Sequence, residues 1–579
     1  MSDPELKTKT LYEYVHSCYA IDKRPDSNDD AIFCKRNKVI IDEHGNETII
    51  PEYKMHLNVK RDFWVTKKAY RKHEFKLEYE HLSHLDHYQS TQRDLARQIC
   101  YKLGKSYDPS KSLMEIFRSP YTYGCDIDIN SVLKLKYKKQ FPRETPSSLT
   151  YAVQDTEFDV NTDLGMIIFS MSFKDKAYQV VLRDWVNKGD TEQDYIDFIN
   201  NELPEIKTRN IKLELEFVDT MAEGIVKMYK KANEWMPDII GFWNINYDMT
   251  VILDILEKSN IDPKDVFSHP SVPPNYRHFQ FKRGPLIKRK DDGTSRPLAA
   301  SEQWHTVYCT APFYFIDPMS LHRGLNKMKA EPSYSLEYLT NKKLGQGKYH
   351  VEHELLRGIP LGSLRWHKVM QKHFKKEYCA YGLIDCVRVE EFDEEVEDVT
   401  VKFPLLIGDS QFKDFSSNPK QLCDDFHSFC LEHDYVISTT SDKMKHEFDA
   451  QIVGKELWIN IVEATHLEDI GIPLVDDPLF RSSRLTIQNF DLDLISAYPK
   501  IGILLGLSRR NTVFEICKLQ GIDSFKHRYV CVNLTGGDAN SIITSKDLYK
   551  LDGLHELHAK FAKDHSIPVA AYENKSMVI

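Results

Sequence analysis

A strand that sets two acidic side chains on one face either turns that face to solvent, as Asp-x-Glu pairs commonly do, or aims both charges into a site. The stretch Tyr151-Ala-Val-Gln-Asp155-Thr-Glu157-Phe-Asp159-Val160 poses this problem, because Asp155 and Glu157 stand two apart and point the same way on a strand. A second stretch, Gly241-Phe-Trp-Asn244-Ile-Asn246-Tyr-Asp248, reads as a strand that breaks into a helix. In a third, Tyr378-Cys-Ala-Tyr381-Gly-Leu-Ile-Asp385, Tyr381 and Asp385 are four apart and share a helix face. Brought together by a folded α/β core, these four acids and a tyrosine make a site for two divalent metal ions. All-oxygen ligation suits Mg2+ or Mn2+; zinc would usually bring histidine or cysteine, which these positions lack.

The order Asp-x-Glu, Asn-x-x-x-Asp, Tyr-x-x-x-Asp, each set in apolar sequence, resembles the three exonuclease motifs of the B-family DNA polymerases. The segments Phe315-Ile-Asp317-Pro-Met-Ser-Leu321 and Ser333-Tyr-Ser-Leu-Glu-Tyr-Leu339 look like the family's sequence between its second and third motifs. In many phage relatives the asparagine of the second motif stands five residues before the aspartate. Here that place is Trp243, while Asn244 stands four before Asp248, a spacing other members use, and Asn246 is the alternative. Further on, Asp491-Leu-Asp493-Leu-Ile-Ser496-Ala497-Tyr498-Pro499 resembles the polymerase palm motif Asp-x-x-Ser-Leu-Tyr-Pro-Ser, with Ala497 for leucine and Lys500 for the last serine. Counting back from Tyr498-Pro499 selects Asp493, not Asp491, as its metal-binding position.

The resemblance implies an α/β multidomain chain with four parts. An N-terminal mixed α/β domain spans 1–150 and a ribonuclease-H-like 3′-5′ exonuclease domain 151–395. Linking helices at 396–485 lead to an incomplete palm at 486–579. Asp155, Glu157 and Asp385 would hold a first metal, which activates water; Asp155, with Asp248 through its water shell, would hold a second, which stabilises the leaving 3′ oxygen. Tyr381 would orient the attacking water and Asn244 would bind the DNA end. Asp493 would bind the metals of an incoming deoxynucleoside triphosphate, the backbone at Ser496 and Ala497 its phosphates, and Tyr498 would pack under its sugar. The family's fingers motif Lys-x-x-x-Asn-Ser-x-Tyr-Gly and its Asp-Thr-Asp-Ser turn are not found, and the chain stops 80 residues after Pro499. Nucleotide addition needs a second carboxylate arm beside Asp493. The expectation is the amino-terminal part of a phage-type DNA-directed DNA polymerase, split or shortened, with proofreading exonuclease chemistry of its own. Its partners would be primer-template DNA, single-stranded 3′ ends, a second polymerase polypeptide and a sliding clamp. A stand-alone exonuclease and a non-catalytic DNA-binding or assembly subunit are the rivals.

The remaining sequence bounds this picture. At 579 residues there is room for three or four domains. The net charge of −10 argues mildly against a nucleic-acid partner, but a metal nuclease concentrates carboxylates at its site and can still present local basic surfaces. No apolar run reaches membrane-spanning length, the first residues lack a signal-peptide pattern, and 11 cysteines without framework spacing suggest reduced thiols in a cytoplasm, the host's if the source is viral. Lys60-Arg-Asp-Phe-Trp-Val-Thr-Lys-Lys-Ala-Tyr-Arg-Lys72 interleaves basic and aromatic residues; it reads either as a single-strand-binding stretch or as a strand with buried aromatics. Strands are expected at 11–20 and on both sides of Gly45, then at 151–158, 164–173, 177–183 and 238–243. Helices are expected at 192–201 and 219–234, in the second half of 83–104, and from Ser417 or Asn418. Phe279 to Lys290, followed by Asp291-Asp-Gly-Thr, reads as a basic hairpin, either a device for moving a primer end or a solvated turn.

Overall fold

Three strands open the computed structural model, which describes residues 9–73, 79–143, 146–289, 294–326 and 330–438 and the two short strands Val532–Asn533 and Ile542–Ile543. The strands β1 (Lys9–Ile21), β2 (Asp30–Ile41) and β3 (Glu47–Leu57) form an antiparallel meander. The β2–β3 turn is tied by the Asp42 carboxylate, which accepts from the His44 and Asn46 amides at 2.9 and 2.8 Å, and Gly45 takes the positive φ of 82° that the turn requires. Helix α1 (Ile129–Gln140) starts at an Asp128 cap and lays Ile129, Leu133 and Tyr137 against Ile32 and Cys34 of this sheet.

The larger sheet contains β4 (Tyr151–Phe158), β5 (Met166–Phe173), β6 (Lys176–Leu182), β7 (Lys212–Val218), β8 (Ile239–Gly241) and β9 (Tyr314–Ile316), in the order β7-β6-β5-β4-β8-β9. The run β4-β5-β6 is antiparallel; β7, β8 and β9 each join a neighbour in parallel. All eight residues of β5, Met-Ile-Ile-Phe-Ser-Met-Ser-Phe, are buried, as a strand covered on both faces demands. The covers are helix α2 (Met221–Trp235), whose Tyr229 ring meets Phe169, and a long helix, Lys375–Val396, whose Gly382 lies over Ile168 and Ser170. Because successive strand residues alternate in direction, these contacts place the two helices on opposite faces of β5.

A buried ion pair ties β2 to this sheet. Lys35, fully buried, stands 3.3 Å from Asp238 Oδ1 and donates to the Met236 carbonyl at 2.6 Å, while Asp238 Oδ2 accepts from the amide and hydroxyl of Thr150. Burial lowers the Lys35 pKa, and Asp238 works against that shift.

Most expected elements are present: Glu192–Glu202 as a helix with a Thr191–Asp194 capping box, Leu95–Leu103 ending at Gly104, and a helix from Asn418 to Glu432. The edge strand β7 was not expected, although its sequence Lys-Leu-Glu-Leu-Glu-Phe-Val alternates cleanly. Within Lys60–Lys72, Arg61–Thr66 is a strand with Phe63 and Trp64 buried, so these two rings offer no stacking surface. The basic segment makes two strand pairs, Phe279–Lys282 with Thr306–Cys309 and Ile287–Arg289 with Ser295–Pro297. Among the described residues, no helix is long and apolar enough to cross a membrane.

The chain divides into two units, one of Met1–Phe63, Tyr88–Tyr107 and Ile127–Asp425, the other of Trp64–His87, Asp108–Asp126 and Phe426–Ile579. The first contains both sheets above. In the second, Tyr435–Ile437 pairs antiparallel with Tyr79–His81, and Trp64, Leu85, Tyr123 and Val436 form a small core. The expected palm, 486–579, with Asp493, Ser496, Ala497 and Tyr498, lies outside the described residues apart from those two short strands, as does the linking region beyond 438.

Candidate metal centre

Strand β4 delivers Asp155 and Glu157 to one side, and the next strand's continuation delivers Asp248. Helix α3 (Ile245–Lys258) begins after the three residues Phe242-Trp243-Asn244 that follow β8, and its first turn carries Asp248. Asn244, the residue before it, takes a left-handed conformation (φ 80°) and makes no side-chain cap. The cap comes from elsewhere. Asp317, just after β9, accepts from the Ile245 amide at 3.2 Å and, through its other oxygen, from the Ser320 amide at 3.1 Å, so one buried carboxylate closes the starts of two helices. Burial pushes the Asp317 carboxyl up to about 7, against the amides that favour its charge.

Three further helices complete the site: α4 (Leu336–Leu344), α5 (Leu364–His373) and α6 (Lys375–Val396), the long helix over β4 and β5. On α6, Tyr378, Tyr381 and Asp385 follow the helical repeat and share a face. Ligand oxygens of Asp155, Glu157 and Asp385 all lie within 4.8 Å of one another, so this group could hold a metal ion. Asp248 lines the same cleft, of about 170 Å³, but its Oδ1 is taken by a short hydrogen bond from the Thr156 hydroxyl. Trp243, Tyr247, Leu336 and Val389 supply the cleft's aromatic and apolar lining.

The charges are crowded. Asp155 is raised well above the usual carboxylate range, first by burial and then by Glu157, Asp248 and Asp385. Burial brings Glu157 up to about 7 although Tyr378 donates to it, and brings Asp248 up to about 7 although Thr156 donates to it. Asp385 is raised by burial and held back by Lys348. The Lys348 ammonium donates to Asp385 Oδ2 at 2.5 Å and to the Tyr381 hydroxyl at 2.6 Å. Burial works against this ammonium, but Asp385, Asp155 and Glu157 outweigh it and keep its pKa above the ordinary value. One carboxylate oxygen, Asp385 Oδ1, is buried with no hydrogen-bond partner among the described residues. A hard divalent cation would satisfy such an atom, and the donor set is entirely oxygen.

The structure thus gathers Asp155, Glu157, Asp248 and Asp385 on one cleft, with Tyr381, buried and outside the cleft's lining, joined to Asp385 through Lys348. Asn244 does not line the cleft, whereas its neighbour Trp243 does; Asn246 is half-buried, and its Oδ1 has no hydrogen-bond partner among the described residues. Residues that sequence reasoning did not single out are Lys348, Tyr378, Thr156 and the capping role of Asp317. Tyr378 stands seven before Asp385, two helical turns, and so carried a usable signal. Lys348, in the loop Gly-Gln-Gly-Lys-Tyr, carried none.

No protein-family model matches the chain, and its sequence matches none of the characterised proteins compared with it. What the fold and site define is therefore a class: a mixed α/β protein with a carboxylate cluster that could hold a metal ion.

Proposed function

We propose that this chain is a metal-dependent 3′-5′ exonuclease acting on single-stranded DNA ends, built on a ribonuclease-H-like domain of the kind found in B-family DNA polymerases. The observation that carries the reading is the convergence of Asp155, Glu157, Asp248 and Asp385, far apart in sequence, on one cleft. A mixed sheet, antiparallel through β4-β5-β6 and extended by the parallel strands β7, β8 and β9, is compatible with such a domain. Magnesium or manganese, held by Asp155, Glu157 and Asp385, would activate water and neutralise charge building up on the phosphate. The protein's own groups have separate tasks. Lys348 offsets the negative charge of the acids and donates to Tyr381, holding that hydroxyl beside Asp385. Thr156 holds Asp248 in one orientation, and Trp243 and Tyr247 offer aromatic surface to a nucleotide. The relationship to a polymerase rests on sequence alone: the order of the three acidic motifs, the segments 315–321 and 333–339, and residues 491–499.

The test is digestion of a 5′-labelled single-stranded oligonucleotide with Mg2+. Shortening from the 3′ end is expected, and Asp155→Ala combined with Glu157→Ala should abolish it. Undiminished digestion by the double variant would place the chemistry elsewhere.

A further inference from the structure

Glu157 is held on two sides by α6. Its stem lies under Gly382, where an added Cβ would stand 3.3 Å from the Glu157 Cγ, so the glycine lets the helix come this close. Its Oε2 accepts from the Tyr378 hydroxyl at 2.5 Å, one turn earlier on the same helix. The Tyr378 oxygen lies in turn 2.8 Å from Nδ1 of His367 on α5, and the two rings meet edge to face at 85°. Three groups from β4, α6 and α5 thus form one hydrogen-bonded line from the carboxylate cluster to a half-buried imidazole.

The line has a direction. A tyrosine hydroxyl has one proton to give. A carboxylate that ligates a metal is ionised, so the Tyr378 proton goes to Glu157 and the Tyr378 oxygen is left as an acceptor. The atom facing that oxygen is His367 Nδ1, which must then carry a hydrogen.

We propose that His367 and Tyr378 are positioning residues: the chain His367 to Tyr378 to Glu157 fixes the Glu157 carboxylate with one oxygen engaged and the other free for a divalent cation shared with Asp155 and Asp385. The inference rests on reading the cluster as a metal site. Tyr381, the tyrosine of the Tyr-x-x-x-Asp spacing, has a different neighbour, Lys348, so the two tyrosines divide the work: one donates to a carboxylate, the other accepts from the lysine that pairs with Asp385. Partners of this second kind typically change metal affinity about 10- to 100-fold when removed.

Mn2+ binding to the full chain, followed by electron paramagnetic resonance without DNA, tests this apart from catalysis. Tyr378→Phe should weaken Mn2+ binding about tenfold, and His367→Leu should weaken it in the same direction. His367→Asn, whose amide can donate from the Nδ1 position, should stay close to the unmodified chain and serves if Tyr378→Phe fails to fold. The combination Tyr378→Phe with His367→Leu should be no weaker than Tyr378→Phe alone, because His367 acts through that hydroxyl. Unchanged affinity in a folded Tyr378→Phe, His367→Asn as weak as His367→Leu, or a double variant that multiplies the single effects would each overturn the proposal, as would an unmodified chain that binds no Mn2+. A chain that binds Mn2+ with this pattern yet cuts no DNA would retire the nuclease reading and leave this one standing.

Discussion

Replacing Lys348 by methionine removes the one ammonium that, among the described residues, touches the carboxylate cluster, while keeping most of the side chain's bulk. The Asp385 side chain is 5% exposed and that of Lys348 22%, with 2.5 Å between nitrogen and oxygen. Breaking a buried pair from one side costs roughly 3–5 kcal/mol; the partial opening of Lys348 to solvent brings the expectation down to about 2–3 kcal/mol. For a domain of this size that is a fall of roughly 5–10 °C in the melting transition. The loss should depend on what else can neutralise the acids. Saturating Mg2+ supplies positive charge at the same cluster, so most of the deficit should vanish when melts in EDTA and in Mg2+ are compared at about pH 8. Lowering the pH to about 5.5 should also shrink it, because Glu157 and Asp248, both brought up to about 7, then hold protons in the folded state. Digestion should remain slow even with Mg2+, since Tyr381 has lost its donor. An equal loss of stability in EDTA and Mg2+, or a larger loss at the lower pH, would refute this account of Lys348 as the cluster's internal counter-charge.

Two other outcomes follow from the same geometry. The metal-free protein should lose stability as pH rises: Glu157, Asp248 and Asp317 have folded pKa values of about 7, above the unfolded carboxylate range, so their contribution is complete below about pH 4 and is lost as pH climbs through about 7. Urea midpoints measured at about pH 5.5 and 8 should fall across that interval, and Mg2+ should flatten the dependence. Away from the cleft, Lys35→Ala should cost about 3–5 kcal/mol by stranding Asp238 as an uncompensated buried charge, and Lys35→Met with Asp238→Asn should recover much of it. A single substitution no worse than the pair would mean that the ion pair is not what joins β2 to the larger sheet.

Much of this architecture was legible in the chain. Short apolar runs marked β4 and β5, and the spacing of Tyr381 and Asp385 marked one face of α6, because backbone geometry converts sequence period into direction. The residues Asp155, Glu157, Asp248 and Asp385 could be picked out from the order of their three motifs in apolar sequence and the resemblance that order carries. Tertiary structure alone decided what those directions meet. Tyr378 and Tyr381 share a helix face, yet packing against β4 gives one to Glu157 and the other to Lys348. Asn244 spends its conformation on a left-handed turn that Asp317 caps from another strand, so Trp243 lines the cleft instead. Lys348 enters from a loop with no period, and nothing local distinguishes it from a solvated lysine. Local spacing states which residues can share a face; only the burial of several negative charges together creates the demand for a cation that Lys348 answers, and that demand exists only once distant segments have folded against one another.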